Sequence, residues 1–191
     1  MRSATKALLL AATLGALGAP ARAYAEGFVS PWLGANFATD PGDGRTAFGV
    51  TAGGMGAGVI GGEIDVGYSP SFFGTDNVFG SNNVLSVMGN LILGIPIGGT
   101  RGAGIRPYGT GGIGLVRSSV DGLLNLSSFT DNNLGFNLGG GVMGFFGDHV
   151  GVRGDLRYFR TLNVKDLTPN AFDLDLGGFN FWRTSFGLVI R

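Results

Sequence analysis

Charged side chains recur at alternate positions in two stretches of the sequence. Arg153, Asp155 and Arg157 alternate within residues 149–160, and Glu63 and Asp65 do so within residues 59–69. In a β-strand, residues two apart point to the same side, so each set shares one face. Acids and arginines that face a narrow interior are expected to pair. The pattern predicts an interior charge cluster with the following candidate members: Glu63, Asp65, Arg106, Arg153, Asp155, Arg157 and Arg183.

Two kinds of chemistry are open to such a cluster, and a third is not expected. Fixed ion pairs would form a structural plug, which is the simpler interpretation. Ion pairs that exchange partners would instead gate a narrow water path. Catalysis by a hydroxyl–histidine–acid relay needs all three groups within reach. His149 is the only histidine, and neighbouring Asp148 would point to the opposite face of a strand, so no catalytic residue is predicted.

The face opposite the charges in residues 149–160 is aliphatic and ends in an aromatic residue. It carries Val150, Val152, Leu156 and Tyr158. In a soluble sandwich this face would point to the core and the charges to water. In a small transmembrane barrel it would point to lipid and the charges to the lumen. The rest of the chain favours the second arrangement.

The first 25 residues have the organisation of a secretory signal peptide. Arg2 and Lys6 form a basic start, an apolar run follows, and small residues precede the expected cleavage site. Cleavage is predicted after Ala25, with Ala23 nearly as good, and leaves residues 26–191 as one barrel domain. The apolar run is too short to favour a retained anchor helix.

Alternating hydrophobicity in segments of about ten residues, typical of membrane barrels, replaces helical periodicity in the rest of the chain. Glycine is scattered throughout and disfavours helices. The alternation predicts eight strands, at residues 28–37, 46–55, 59–69, 84–97, 105–118, 133–146, 149–160 and 179–191.

The predicted connections alternate in length. Three are short and rich in glycine, namely 56–58, 98–104 and 147–148. Four are longer and more polar, namely 38–45, 70–83, 119–132 and 162–178. Short turns on one side and long loops on the other are typical of bacterial outer-membrane barrels. The sequence therefore predicts an all-β, eight-stranded antiparallel up-and-down transmembrane barrel with short periplasmic turns and longer extracellular loops.

Aromatic residues are predicted near both ends of the strands, where rings settle at the lipid headgroups. The outer girdle is expected to contain Phe37, Tyr68, Tyr158 and Trp182, and the periplasmic girdle Phe28 and Phe145. The alternative is that these rings fill a core.

Charge and composition exclude several classes of partner. The chain has 13 basic and 13 acidic residues, and the predicted signal holds three basic residues and no acid, so the mature net charge is −3. This balance argues against a nucleic-acid partner. With no cysteine there is neither a disulfide nor a thiolate metal site. The outer loops are acidic, but such charge more often keeps loops solvated than binds Ca²⁺ or Mg²⁺. No metal or cofactor is expected.

Four segments together resemble a known family, the OmpA-like small outer-membrane barrels. They are GGEIDVGYSP (61–70), VMGNLILGIP (87–96), RPYGTGGIGL (106–115) and GVRGDLRYFR (151–160). The resemblance implies an eight-stranded barrel with periplasmic termini and no peptidoglycan-binding domain after the last strand. Such barrels usually end in an aromatic residue that the assembly machinery reads, whereas Arg191 stands last here.

The expected function is a non-enzymatic role in envelope structure or surface interaction, in the bacterial outer membrane. The expected partners are outer-membrane lipid, lipopolysaccharide and the barrel-assembly machinery. Apolar loop residues such as Phe72, Phe73 and Leu124 would bind an extracellular protein partner if they are exposed, and they are ordinary barrel wall if they continue the strands. The alternatives are a narrow pore for small solutes or ions, and a soluble lipocalin-like binder in the periplasm.

Overall fold

The barrel is closed and entirely antiparallel. The computed structural model describes residues 25–38, 44–70, 72, 82–121, 128–162 and 180–191. Each strand pairs with the next, and β1 pairs with β8, which confirms the predicted eight-stranded barrel. The described residues form these strands: β1 Ala25–Phe37, β2 Arg45–Gly56, β3 Ile60–Pro70, β4 Asn82–Gly94, β5 Gly104–Asp121, β6 Ser128–Phe145, β7 Val150–Leu162 and β8 Asn180–Ile190.

Several boundaries differ from the predicted ones. β5 and β6 extend to Asp121 and from Ser128, so their connection spans 122–127 instead of 119–132. Val120 pairs with Phe129, so the β5–β6 pairing continues into a polar segment for which the sequence predicted a loop. β4 ends at Gly94, and a bridge between Ile97 and Ile105 continues the pairing into the turn.

The predicted signal peptide falls outside the described residues, except for Ala25, which begins β1 and pairs with Gly56. No helix in the described ranges is long and apolar enough to cross a membrane.

The turn between β2 and β3 shows how the short connections form. Ala57 and Gly58 both have positive φ, at 50° and 68°, and the Val59 N–H donates to the Gly56 carbonyl over 3.0 Å. Positive φ at both central positions is the type I′ geometry whose twist matches that of paired strands.

Apolar residues lie on the outer surface of the barrel and polar residues lie in its lumen, as a membrane requires. Leu33, Ile64, Ile113, Leu138 and Phe186 are each at least 60% exposed on the outside of the barrel. Arginines, carboxylates and amides are buried inside. A soluble lipocalin-like binder needs the reverse, with a polar exterior and an apolar pocket, so that alternative is wrong.

Candidate functional site

The seven predicted cluster residues all lie on inward faces of the strands and are at most 9% exposed: Glu63, Asp65, Arg106, Arg153, Asp155, Arg157 and Arg183. Glu63 and Asp65 are on β3, and the alternating triplet of arginines and aspartate is on β7. In a closed barrel of eight strands, β3 and β7 lie on opposite walls. The two sets therefore face each other across the lumen.

Four of these side chains form a closed ring of ion pairs. Glu63 accepts from Arg153 Nη2 at 2.9 Å and from Arg157 Nη2 at 2.8 Å. Asp155 accepts from Arg153 Nε at 2.6 Å and from Arg157 Nε at 3.0 Å. Each carboxylate thus bridges both arginines, and the ring has no net charge. Bridging of this kind compensates buried charges that would be costly alone.

Polar neighbours extend the ring along the lumen. Thr110 and Asn90 donate to Glu63 at 3.2 and 3.4 Å, and Asn137 donates to Asn90 at 2.6 Å. The Tyr108 hydroxyl accepts from Arg153 Nε at 2.7 Å. Hydrogen bonds of this kind fix the positions of the carboxylates, because each bond restricts the rotamers of both partners.

A separate ion pair stands beside the ring. Arg183 Nη2 lies 2.6 Å from Asp65 Oδ1, and the Thr51 hydroxyl donates to the same carboxylate at 2.8 Å. The Arg183 guanidinium also lies 4.3 Å from the Trp32 ring centre and 4.6 Å from that of Phe159. These are cation–π distances. Arg183 therefore joins the charged layer to aromatic side chains.

Apolar layers cover the charged layer at both ends. On the extracellular side, Phe159 stacks on Phe181 at 4.9 Å between ring centres, and Phe72 packs edge-on against Phe181 at 5.2 Å. Val84, Met88 and Val116 complete this layer. Because Phe72 packs toward the lumen, it is not an outward-facing docking residue. Phe73 and Leu124 lie outside the described residues. The periplasmic apolar layer consists of Phe28, Met55, Ile92, Tyr108, Met143, Phe145 and Val189.

The periplasmic mouth is closed by two arginines around one carboxylate. Arg106 and Arg191 contact Glu26 at 3.1 and 3.3 Å and lie over the Phe145 ring at 5.2 and 3.9 Å from its centre. Arg106 is thus apart from the other six predicted cluster residues. Glu26 is not among the residues predicted from the sequence, although it is two residues before Phe28 on the inward face of β1.

Arg191 also holds the turns at this end of the barrel. Its guanidinium donates to four backbone carbonyls at 2.7–3.0 Å, those of Thr100, Gly102, Gly147 and Asp148. The Gly102 N–H in turn donates to Asp148 Oδ1 at 2.7 Å. The turn after β4 and the turn after β6 are therefore joined through one side chain. The alternation along β8 predicts that Arg191 faces inward. It does not predict which carbonyls this side chain reaches.

The aromatic residues fall into two groups. Phe37, Tyr68, Tyr158 and Trp182 occupy outward positions, and the Tyr158 and Trp182 rings lie 5.2 Å apart. Phe28 and Phe145 are 6% and 7% exposed inside the barrel, so the prediction that they belong to a lipid-facing girdle is wrong. Both have the inward parity of their strands, and nearness to the membrane boundary does not override parity.

Comparisons with known proteins agree with this architecture. The profile of a family described as "Outer membrane protein beta-barrel domain" matches residues 7–181. No curated protein matches the chain.

Solved structures of small outer-membrane barrels are similar in fold. Neisserial surface protein A is 16% identical, with a TM-score of 0.61, covering 87% of this chain and 97% of that one. The N-terminal barrel domain of Pseudomonas aeruginosa OprF is 16% identical, with a TM-score of 0.52, covering 86% and 95%. Ail of Yersinia pestis, solved with the heparin analogue sucrose octasulfate, is 12% identical, with a TM-score of 0.53, covering 86% and 98%.

Proposed function

Because the chain belongs to the outer membrane protein beta-barrel domain family, we propose that it is a non-enzymatic outer-membrane barrel with a sealed lumen. Its role is in envelope structure or surface interaction, and solutes do not pass through it. The signal peptide of residues 1–25 is removed, and the barrel-assembly machinery and lipopolysaccharide are its partners during and after insertion.

The layered lumen carries this proposal. An ion crossing the barrel would have to leave water at the Phe159–Phe181 layer and again at the layer containing Phe28 and Phe145. Apolar constrictions of this kind block conduction because water does not wet them. Between them, the ring of Glu63, Arg153, Asp155 and Arg157 has no net charge with which to attract an ion.

A gated pore is the second candidate, and one observation favours it. Within the described part of the chain, Nη1 of Arg153 and Nη1 of Arg157 have no hydrogen-bond partner. Each arginine thus keeps an unused donor, with which it could begin a new ion pair before leaving the old one. A gate of this kind would work by exchange of partners within the ring.

Catalysis is not supported by the surroundings of the histidine. His149 lies in the turn after β6, where its carbonyl accepts from the Arg191 backbone N–H at 2.9 Å. No serine or threonine joins it and Asp148 in a hydrogen-bonded relay in the described ranges, and such a relay would need all three groups in contact.

Single-channel recording in planar bilayers separates the sealed barrel from the pore. The wild type, Arg153→Ala and Asp155→Ala are compared, with Arg101→Ala in a periplasmic turn as the control. We expect no conductance steps from the wild type or the control. Steps from the wild type that change in size or frequency in both lumen variants would establish the gated pore instead.

Migration on a denaturing gel, before and after boiling, tests the membrane assignment. A closed barrel resists detergent until it is heated, because it has no free strand edge at which to open. We expect a heat-dependent shift in the outer-membrane fraction. Recovery of the protein from the periplasm with no such shift would contradict the assignment.

A further inference from the structure

Pro31 lies in the middle of a strand, which is an unusual position for proline. It is the seventh of the 13 residues of β1, whereas Pro70 ends β3 and Pro107 is the fourth residue of β5. Proline has no backbone N–H, so within sheets it is confined to edge strands, strand ends and bulges. A closed barrel has no edge strand. The hydrogen bond that Pro31 cannot donate is therefore missing from the wall itself.

The missing N–H of Pro31 faces β8. The ladder between β1 and β2 is continuous and includes the pair of Pro31 with Val50. The ladder between β1 and β8 has one pair at Val29 and the next at Trp32, so two rungs between them are absent. The register puts Leu188 opposite Pro31, and the Leu188 carbonyl receives no hydrogen bond from it.

The surroundings of this gap do not replace the missing bond. The Ser30 hydroxyl, beside Pro31, is buried and has no hydrogen-bond partner within the described ranges. Gly187, on the next rung, has no side chain that could donate. Pro31 and Leu188 lie on the outer surface of the barrel, where lipid tails offer no donor. The strand pair is therefore weakened at this point.

The seam between β1 and β8 is held on both sides of the gap. On the extracellular side, the Arg183 guanidinium lies 4.3 Å from the centre of the Trp32 ring. On the periplasmic side, the Arg191 backbone N–H donates to the His149 carbonyl at 2.9 Å, and its side chain is bonded to two turns. The weakness is thus confined to residues 30–31 and 188–189.

We propose that Pro31 is a weak point built into the seam, at which the barrel wall opens locally and from which the barrel unfolds. Opening begins at the centre of the seam, beside Val189 of the periplasmic apolar layer, and not at either rim. The proposal rests on the proposed placement of the barrel in the outer membrane, because water at the outer wall would satisfy the Leu188 carbonyl.

Hydrogen exchange at single backbone amides, measured by nuclear magnetic resonance in lipid nanodiscs, tests the weak point. Leu188 lies opposite Pro31 on β8, and Val50 lies opposite it on β2, whose ladder with β3 is uninterrupted there. We expect the Leu188 amide to exchange about tenfold faster than the Val50 amide, because local opening exposes it to solvent. Equal exchange at the two amides would overturn the proposal.

Two proline variants separate the gap from proline content in general. Pro31→Val supplies the missing donor, and valine suits a lipid-facing strand position. Pro107→Val is the matched control, because Pro107 faces Ile95, which follows the end of β4. We expect Pro31→Val to slow exchange at Leu188 to the rate of Val50, and Pro107→Val to leave it unchanged.

Pro31→Ala also restores the N–H and should slow exchange at Leu188 even if valine disturbs the wall. Unchanged exchange at Leu188 in both Pro31 variants would overturn the weak point.

The time course of heat-dependent gel migration shows where unfolding begins. At a fixed temperature, we expect Pro31→Val to lengthen the half-time of conversion to the unfolded form, because the opened seam is no longer preformed. Arg191→Ala, which loosens the periplasmic rim, should change this half-time less. The reverse order of effects would show that unfolding begins at the rim and would overturn the proposal. The heat-dependent shift of the wild type reports separately on the membrane placement.

Discussion

Each charged side chain of the lumen depends on its partners because the ring is closed. The ring consists of Glu63, Arg153, Asp155 and Arg157. Removing either carboxylate leaves two buried guanidinium groups, each with one partner fewer. Loss of one partner from a buried pair typically costs about 3–5 kcal/mol. The same logic explains why the ring cannot be dissected by adding single-residue effects.

Glu63→Gln is therefore expected to lower the free energy of unfolding by about 3–5 kcal/mol. The amide keeps the shape of the side chain and removes its charge, so the loss reports on the ion pairs. Urea unfolding in lipid vesicles measures it. Asp148→Asn, at an exposed side chain in a turn, is the matched control and should change stability little, because the amide oxygen can still accept from the Gly102 N–H. Equal midpoints for the two variants would contradict a ring that contributes to stability.

Arg191→Ala should loosen the periplasmic turns without disturbing the centre of the lumen. It removes the contact with Glu26 and four hydrogen bonds to turn carbonyls. We expect faster hydrogen exchange at backbone amides of residues 98–104 and 147–149, and unchanged exchange at Arg153 and Arg157 on β7. If backbone amides of residues 98–104 and 147–149 exchange equally fast in the wild type and the variant, this side chain does not hold the turns.

At the scale of the strand, glycines determine how closely the backbone of the barrel wall approaches the side chains in the lumen. A Cβ added at Gly67 would lie 2.6 Å from Arg183 Nη1 and 2.9 Å from Ser86 Oγ, so the glycine leaves room for the ion pair with Asp65. Glycine in a strand often marks such a close approach. The abundance of glycine in the sequence thus has a packing reason at inward positions.

Gly139→Ala and Gly154→Ala form a matched pair on adjacent strands. At inward Gly139 a Cβ would lie 2.7 Å from the Arg157 Cα, whereas at outward Gly154 nothing lies within 4 Å. Overpacking typically costs about 1–3 kcal/mol, so Gly139→Ala should lower the urea midpoint and Gly154→Ala should not. A larger loss at Gly154 than at Gly139 would contradict the assigned directions of the two positions.

At the scale of the whole molecule, the predicted signal peptide meets the first strand at its first residue. Ala25 pairs with Gly56 and Glu26 with Met55, while the Glu26 side chain contacts Arg106 and Arg191. Cleavage after Ala25 would keep that carboxylate and remove one backbone pair. Cleavage at this boundary therefore retains Glu26, the acid around which the periplasmic mouth is closed.

N-terminal sequencing of the protein from the outer-membrane fraction should give Glu26 as the first residue. Signal peptidases recognise small residues at the cleavage site, which Ala23 and Ala25 both provide. Substitution of Ala25 by a large residue should slow cleavage there. A mature chain that still begins at Met1 would contradict the signal peptide, and one that begins at Tyr24 would move the boundary to Ala23.

Much of the candidate site follows from local alternation. The period of two in residues 149–160 puts Arg153, Asp155 and Arg157 on one face, and the structure places that face inward. The eight strands are likewise local patterns in the sequence, whereas the predicted alternation of connection lengths does not hold around β5, where residues 95–103 form a longer connection than residues 122–127. The same parity, applied to Phe28 and Phe145, would have placed both rings in the lumen, where they lie.

The sequence by itself thus determined the class of barrel, the faces of its strands and the residue types inside, because side-chain direction in a strand depends only on position. Only the tertiary structure decided which residues meet. Glu63 contacts Arg157 because closure brings β3 opposite β7, and Arg191 reaches two turns distant in sequence because the barrel's shear brings their carbonyls to one rim. Barrel closure and strand stagger are properties of the whole sheet, which no single stretch of the chain encodes.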